Sequence, residues 1–194
     1  AALAACGPAT GEGNDTDSTS VEAPPTPAEL RAELDAKIKY SPDEPNLYYQ
    51  RAQLAWELSD SVEATKDVVR AMQLDSLNPA YPELLGFFYY AQGKDQLATD
   101  VLERAVALES ENPEPYHQLA TLATMRGDYT EALRRHDQAL GFAPDSAIYL
   151  LGKAHTLRRA ERPQAAIPVL EKALANDSLN TKVLSELFEV YFFD

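Results

Sequence analysis

Three histidines, His117, His136 and His155, are the side chains of this 194-residue chain best suited to proton transfer or metal binding. An imidazole metal site needs further ligands. The chain has a single cysteine, Cys6, remote from all three, and no paired carboxylate motif beside them. His117 and His155 therefore read as a metal-binding pair or as a polar pair on a binding surface, and the missing ligands favour the polar pair. His136 reads as a packed core residue. No nucleophile elbow, phosphate-binding loop or His-Glu-x-x-His motif is present, so the sequence supports neither an enzyme nor a bound cofactor or metal. Lys plus Arg is 17 against 31 for Asp plus Glu, a net charge of −14. A nucleic-acid binder needs a basic face to displace phosphate counterions, so nucleic acid is excluded as a partner. No apolar run is long enough to span a bilayer.

The elements that must position these residues are set by a repeat. Asp75-Ser76-Leu77-Asn78 returns as Asp177-Ser178-Leu179-Asn180, 102 residues later, which is three periods of 34. At that spacing small residues fall into columns: Ala52, Gly86, Ala120 and Ala154; Ala64, Ala98, Ala132 and Ala166; Ala71, Ala105, Ala139 and Ala173. Small residues at fixed positions let two helix backbones approach closely, while large ones from the neighbouring unit fill the remaining groove. "PEPYHQLATLATMRG" and "YTEALRRHDQALGF" read as one such pair, helix A and helix B, with Gly127 ending the first in a left-handed cap. The earlier "TPAELRAELDAKIKYSP" has Thr26 and Glu29 placed for a capping box.

These columns resemble the tetratricopeptide repeat, whose small positions have the same spacing. The resemblance implies an all-α, right-handed superhelical solenoid of about four helix pairs with flanking single helices. The expected units are 45–78, 79–112, 113–146 and 147–180, preceded by a capping helix at 27–40 and followed by an unpaired helix at 181–194. It also implies a concave face lined by the A helices, at Tyr49, Gln53, Trp56, Phe87, Tyr90, His117, Met125, His155, Arg158 and Arg159. Aromatic anchors with a basic end suit an extended peptide or a partner helix, unless the aromatics simply pack on the next repeat. The carboxylate clamp of chaperone-binding relatives needs Lys and Asn where this chain has Tyr49, Gln53, Phe87, His117 and Thr121, so that role is not implied.

Asp-Ser is over-represented. With 14 Asp and 10 Ser in the chain, chance gives roughly 0.7 such dipeptides, yet five occur, each followed by Thr or an aliphatic residue. Their serines are Ser18, Ser61, Ser76, Ser146 and Ser178. The pattern resembles the acceptor motif of O-glycosylation systems acting on exported bacterial proteins; helix capping by Asp and Ser is the other reading. Residues 1–26 carry Gly, Pro, Ser, Thr and acid with little to bury, the composition of a tether. Leu3-Ala4-Ala5-Cys6 resembles a lipobox, in which Cys6 would carry lipid. Both resemblances imply export, to the outer membrane, the cell surface or the medium, with glycans and a lipid anchor as covalent additions.

The two ends look unpartnered. The last segment, "TKVLSELFEVYFFD", presents Leu184, Leu187, Phe188, Tyr191 and Phe192, and the first helix a stripe of Leu30, Leu34 and Ile38. Two different open ends on one molecule form a heterologous contact that repeats into filaments. The sequence thus leads first to a non-catalytic, exported scaffold that associates end to end, its partners being other copies of itself. The alternative is a monomeric envelope lipoprotein that holds a peptide or helix of another protein in its groove.

Overall fold

The computed structural model describes residues 24–192. Its first helix begins where the capping box predicts. The Thr26 hydroxyl accepts from Glu29 N–H at 3.3 Å, and the Glu29 carboxylate accepts from Thr26 N–H at 2.7 Å. Among the described residues there are ten helices and no strand: α1 Pro27–Tyr40, α2 Pro45–Glu57, α3 Ser61–Leu74, α4 Ala80–Ala91, α5 Asp95–Ala107, α6 Pro113–Arg126, α7 Tyr129–Phe142, α8 Ala147–Arg159, α9 Pro163–Asn176 and α10 Thr181–Phe192. Asp60, Asn112 and Asp128 cap α3, α6 and α7 with side-chain oxygens, each satisfying a first-turn N–H that has no partner inside the helix.

The turn inside each pair follows the same period. Ser59, Gly93, Gly127 and Glu161 stand 34 residues apart and take φ of 64°, 68°, 81° and 59°. A left-handed residue reverses the chain tightly here. Glycine adopts it freely, whereas Ser59 and Glu161 do so against the steric cost of a Cβ. Helices α2–α3, α4–α5, α6–α7 and α8–α9 pair in this way, and α3–α4, α5–α6 and α7–α8 join the pairs into an array. Along one side α4, α6, α8 and α10 also touch in succession. That side is the concave face.

The small columns are the crossings. All eleven alanines have 0% exposure, and Gly86 is buried with them. At Gly86 a Cβ would overlap the Cγ and Cδ2 of Leu102, itself wholly buried. Large residues recur at the same period behind them: Val68, Leu102, His136 and Leu170 are all 0–1% exposed. The register extends to the ends, because α1 starts 34 residues before α3 and α10 starts 34 after α8. Helix α1 therefore sits as a helix B and α10 as a helix A.

Ionic contacts fix neighbouring pairs. Arg51 donates to Asp67 at 2.7 and 2.8 Å and to Asp35 at 2.6 Å, which ties α1, α2 and α3 together. Hydrogen bonds to these carboxylates push the Arg51 pKa further above its already high value. Lys172 and Arg104 each reach back to a carbonyl of the preceding connection, Pro144 O at 2.7 Å and Ser76 O at 3.2 Å.

Substituting Leu for Ala98 adds three carbons at a crossing with no free space. The expected cost is about 1–3 kcal/mol in chemical unfolding, with helical content unchanged. A variant as stable as the parent contradicts the close crossing.

Candidate functional site

Helices α4, α6, α8 and α10 line an open cavity of about 570 Å³ on the concave face. Tyr90, His117, Thr121, Ile148, Leu151 and His155 line it, with Lys182, Ser185 and Glu186 at the α10 edge. Its floor is Gly152. A Cβ there would lie 2.8 Å from His117 Cε1 and 2.7 Å from His136 Cε1, so α8 can close on the two rings only because no side chain intervenes.

The same closeness decides which histidines meet. The His117 ring lies 5.5 Å from that of His136 and 5.0 Å from that of Tyr149. His155 is exposed and shares the cavity with His117. The pair expected from the sequence, His117 with His155, is thus replaced as a ring contact by His117 with His136. His136 is a core residue as expected, at the position that Val68, Leu102 and Leu170 fill in the other units. Its Nε2 lies 3.1 Å from Thr156 Oγ1. The Thr156 hydroxyl also reaches Gly152 O at 2.9 Å. The other ring nitrogen, His136 Nδ1, is buried and without a partner among the described residues. Thr124 extends the polar chain at 2.8 Å from Thr156.

Burial, then the nearby His117, Lys153 and His155, pushes the His136 pKa down to about 3. Burial lowers His117 as well, against a small opposing pull from Glu114. Near neutral pH these two rings are uncharged, so His117 gives the cavity wall a flat, weakly polar surface rather than positive charge, with the neutral His136 buried behind it.

The other expected groove residues divide. Tyr90 lines the cavity. Tyr49 is half-buried and tilts against Tyr81 at 5.6 Å. Trp56 stacks on Phe88 at 4.4 Å and meets Phe87 edge-on at 5.8 Å, which spends it on packing between repeats. Phe87 stays exposed. Gln53 faces α1, in a separate cleft with Leu30 and Leu34. Met125 is exposed at the end of α6, and Arg159 is exposed at the end of α8. Arg158 donates to Glu186 at 2.7 Å and Glu189 at 2.9 Å, so this part of the expected basic end is an ion-paired strut to α10. The sequence reading did not include Ile148, Leu151, Lys182, Ser185 or Glu186. Ile148, Leu151 and His155 share one face of α8 at helical spacing, which is the signal that identifies the first two.

At the ends, Leu184, Phe188, Tyr191 and Phe192 are exposed, and Phe188 lies 4.4 Å from Phe192. Leu187, expected on that surface, points inward with Val183 and Val190 into the α8–α9 core; these three lie at i, i+4 and i+7 on the face opposite Phe188. Ile38 packs into the chain's own α2–α4 core, Leu34 is half-buried, and Leu30 is exposed. Of the Asp-Ser pairs, Asp60 caps α3, with Ser61 its first residue. Asp75 and Asp177 accept from Leu77 and Leu179 N–H at 3.1 and 3.3 Å, which turns Ser76 and Ser178 outward, and both are exposed. Ser146 is half-buried at the start of α8. Cys6 and Ser18 lie outside the described residues. Among the described residues no group of three or more His, Cys, Asp or Glu is placed to hold a metal, and no helix is long and apolar enough to cross a membrane.

The buried imidazole makes stability pH-dependent. His136 is neutral when folded, with a pKa of about 3, and titrates near its ordinary value when unfolded. Below about pH 6.5 the unfolded chain gains a proton that the folded chain refuses, so stability falls from there toward pH 3. Unfolding midpoints measured between pH 7.5 and 4.5 should show this fall. His136→Leu, which restores the aliphatic residue of the column, should flatten it; an unchanged slope contradicts the neutral buried ring.

No family model and no curated protein matches this chain. Solved structures resemble it. MamA from Desulfovibrio magneticus RS-1 superposes with a TM-score of 0.71 at 17% identity, over 79% of this chain and 87% of that one. YrrB, a TPR protein with an unusual peptide-binding site, gives 0.69 at 21% identity, over 81% and 83%. Yeast Tom70 gives 0.61 at 24% identity, over 87% of this chain and 36% of the longer protein. At these identities the likeness is one of fold, and the fold is the tetratricopeptide solenoid that the small columns imply.

Proposed function

We propose that the protein is a non-catalytic interaction scaffold whose concave face holds an extended segment of a partner protein. The observation that carries this is the cavity of about 570 Å³ between α4, α6, α8 and α10. Its walls come from rigid, tightly crossed helices. They combine apolar side chains, Tyr90, Ile148 and Leu151, with uncharged imidazole, and Lys182 and Glu186 stand at one edge. An apolar centre with a few polar groups at the rim is the usual composition of a binding site. The fold neighbour YrrB has a peptide-binding site. Peptides selected from a random displayed library should bind the parent protein. Tyr90→Ala with His155→Ala should weaken them about tenfold, since truncated aromatic anchors dominate such interfaces, while helicity and melting temperature hold. Equal affinity for the double variant overturns the reading.

A second reading, end-to-end association, is favoured by the exposed Leu184, Phe188 and Tyr191 of α10. In register these match Tyr48, Ala52 and Ala55 of α2, which are buried against α3. The matching occupant is α1 of a second copy, a helix B that offers Leu30 and Leu34. Phe188 and Leu30 would meet where the repeats hold Ala or Gly, so this contact is wider than the crossings within the array. Export, lipid at Cys6 and glycans at the exposed Ser76 and Ser178 belong to this reading. Light scattering on protein from its native host should show polymers that Phe188→Ser with Tyr191→Ser abolishes, and intact mass should exceed that of the chain in sugar-sized steps. A monomer of bare-chain mass contradicts both parts.

A further inference from the structure

A second, smaller cavity of about 160 Å³ lies on the same face between α2, α4 and α6. Its lining is one-sided in charge. Glu83 and Glu114 supply carboxylates, Tyr49 and Phe87 supply ring walls, and Asn112 and Gln118 complete it. Among the described residues, the side-chain donors that reach the two carboxylates are all uncharged. Glu83 accepts from the Ser110 hydroxyl and from the Asn112 amide at 2.8 Å. Glu114 accepts from the Gln118 amide at 3.0 Å and from the Tyr149 hydroxyl at 3.3 Å. Gln118 is only 3% exposed, and with its Nε2 committed to Glu114, its Oε1 is a buried acceptor with no partner. An unsatisfied buried carbonyl is costly unless something donates to it.

Two carboxylates that no cation among the described residues pairs with, an orphan carbonyl and two aromatic walls all ask for the same thing: a compact positive group rich in N–H. We infer that this cavity is a recognition pocket for a lysine or arginine side chain of the partner segment. The volume suits the end of such a side chain. Its charge would be balanced by Glu83 and Glu114, its methylenes would lie on Tyr49 and Phe87, where a cation also gains from the ring faces, and a turn of the Gln118 amide would bring the buried Oε1 to its N–H groups. The field of the carboxylates is already felt in the pocket: after burial, the charge of Glu83 is what raises the Tyr49 phenol. With Lys182 and Glu186 at the far edge of the groove, a cationic residue held here fixes which way the segment runs. This assignment rests on the groove reading, which it deepens.

The probes are the methylamides of N-acetyl-lysine and N-acetyl-arginine, with N-acetyl-norleucine methylamide as the uncharged counterpart, titrated into 15N-labelled protein. The cationic probes should shift the amides of Ala80, Glu83, Phe87 and Gln118 saturably, and added salt should weaken them; norleucine should leave those amides in place. Glu83→Gln and Glu114→Gln, made singly, should each weaken the cationic probes about tenfold, the loss expected for one charge-assisted contact. A Glu114→Gln protein with parental helicity excludes misfolding as the cause. Equal shifts from norleucine, or cationic shifts scattered over the acidic surface, overturn the pocket. Peptides that bind the groove but tolerate Gln for every Lys and Arg overturn the pocket alone; cationic shifts without any groove-binding peptide overturn the groove reading alone.

Discussion

The close crossing of helix A on helix B is the constraint from which the rest of the molecule follows. It requires a residue no larger than alanine at three positions in every unit, and the chain meets that requirement twelve times with eleven alanines and Gly86. With the backbones in near contact, each pair can be reversed only by a very tight turn, hence the left-handed residue at Ser59, Gly93, Gly127 and Glu161. Two of those four accept the cost of a Cβ, so the turn is imposed by the packing rather than chosen by the local sequence. Identical pairs then stack with a fixed offset, and the A helices are brought side by side along one face.

The concave surface proposed as the binding site is a by-product of that stacking. Side chains at the middle of α4, α6 and α8 converge because their helices do. In one helix B column the array gives up an aliphatic residue: His136 stands where the other units bury Val68, Leu102 and Leu170. Gly152 makes room for it, and Thr156 and Thr124 satisfy one side of its ring. The result stiffens the floor of the cavity with a directional polar chain and leaves two neutral imidazoles facing each other. The cost is paid in acid, where the ring cannot be charged without leaving its site.

Much of the fold was legible in the sequence because its determinants are local and repeated. Alanine columns, the Thr26–Glu29 box and the Gly127 cap each act through neighbouring backbone, so spacing alone reveals them. The site was legible only in part. That His117 meets His136 depends on Gly152, a residue on a third helix whose importance is the absence of a side chain. Arg158 looked like a free cation because its partners, Glu186 and Glu189, lie 28 and 31 residues away on α10. The small electronegative cavity was invisible for a similar reason. Glu83 and Glu114 are 31 residues apart, off the 34-residue register, and what matters about Gln118 is the bond its Oε1 does not make. Leu187 was misplaced because apolar residues stand on more than one side of α10, which hides the face that turns inward.

The two ends complete the pattern. Both α1 and α10 keep the register of the array while carrying large side chains, Leu30 and Phe188, at positions that are small elsewhere. In the end-to-end reading proposed above, they would meet through a looser contact than the one that builds the array. The concave face remains the surface where shape, rigidity and chemistry coincide. Hydrogen–deuterium exchange of the protein with and without a selected peptide tests that claim most directly. The expected result is added protection on α4, α6 and α8, where the A helices face the groove, with α3, α5, α7 and α9 unchanged. Protection centred on those B helices, or confined to the exposed face of α10, contradicts it.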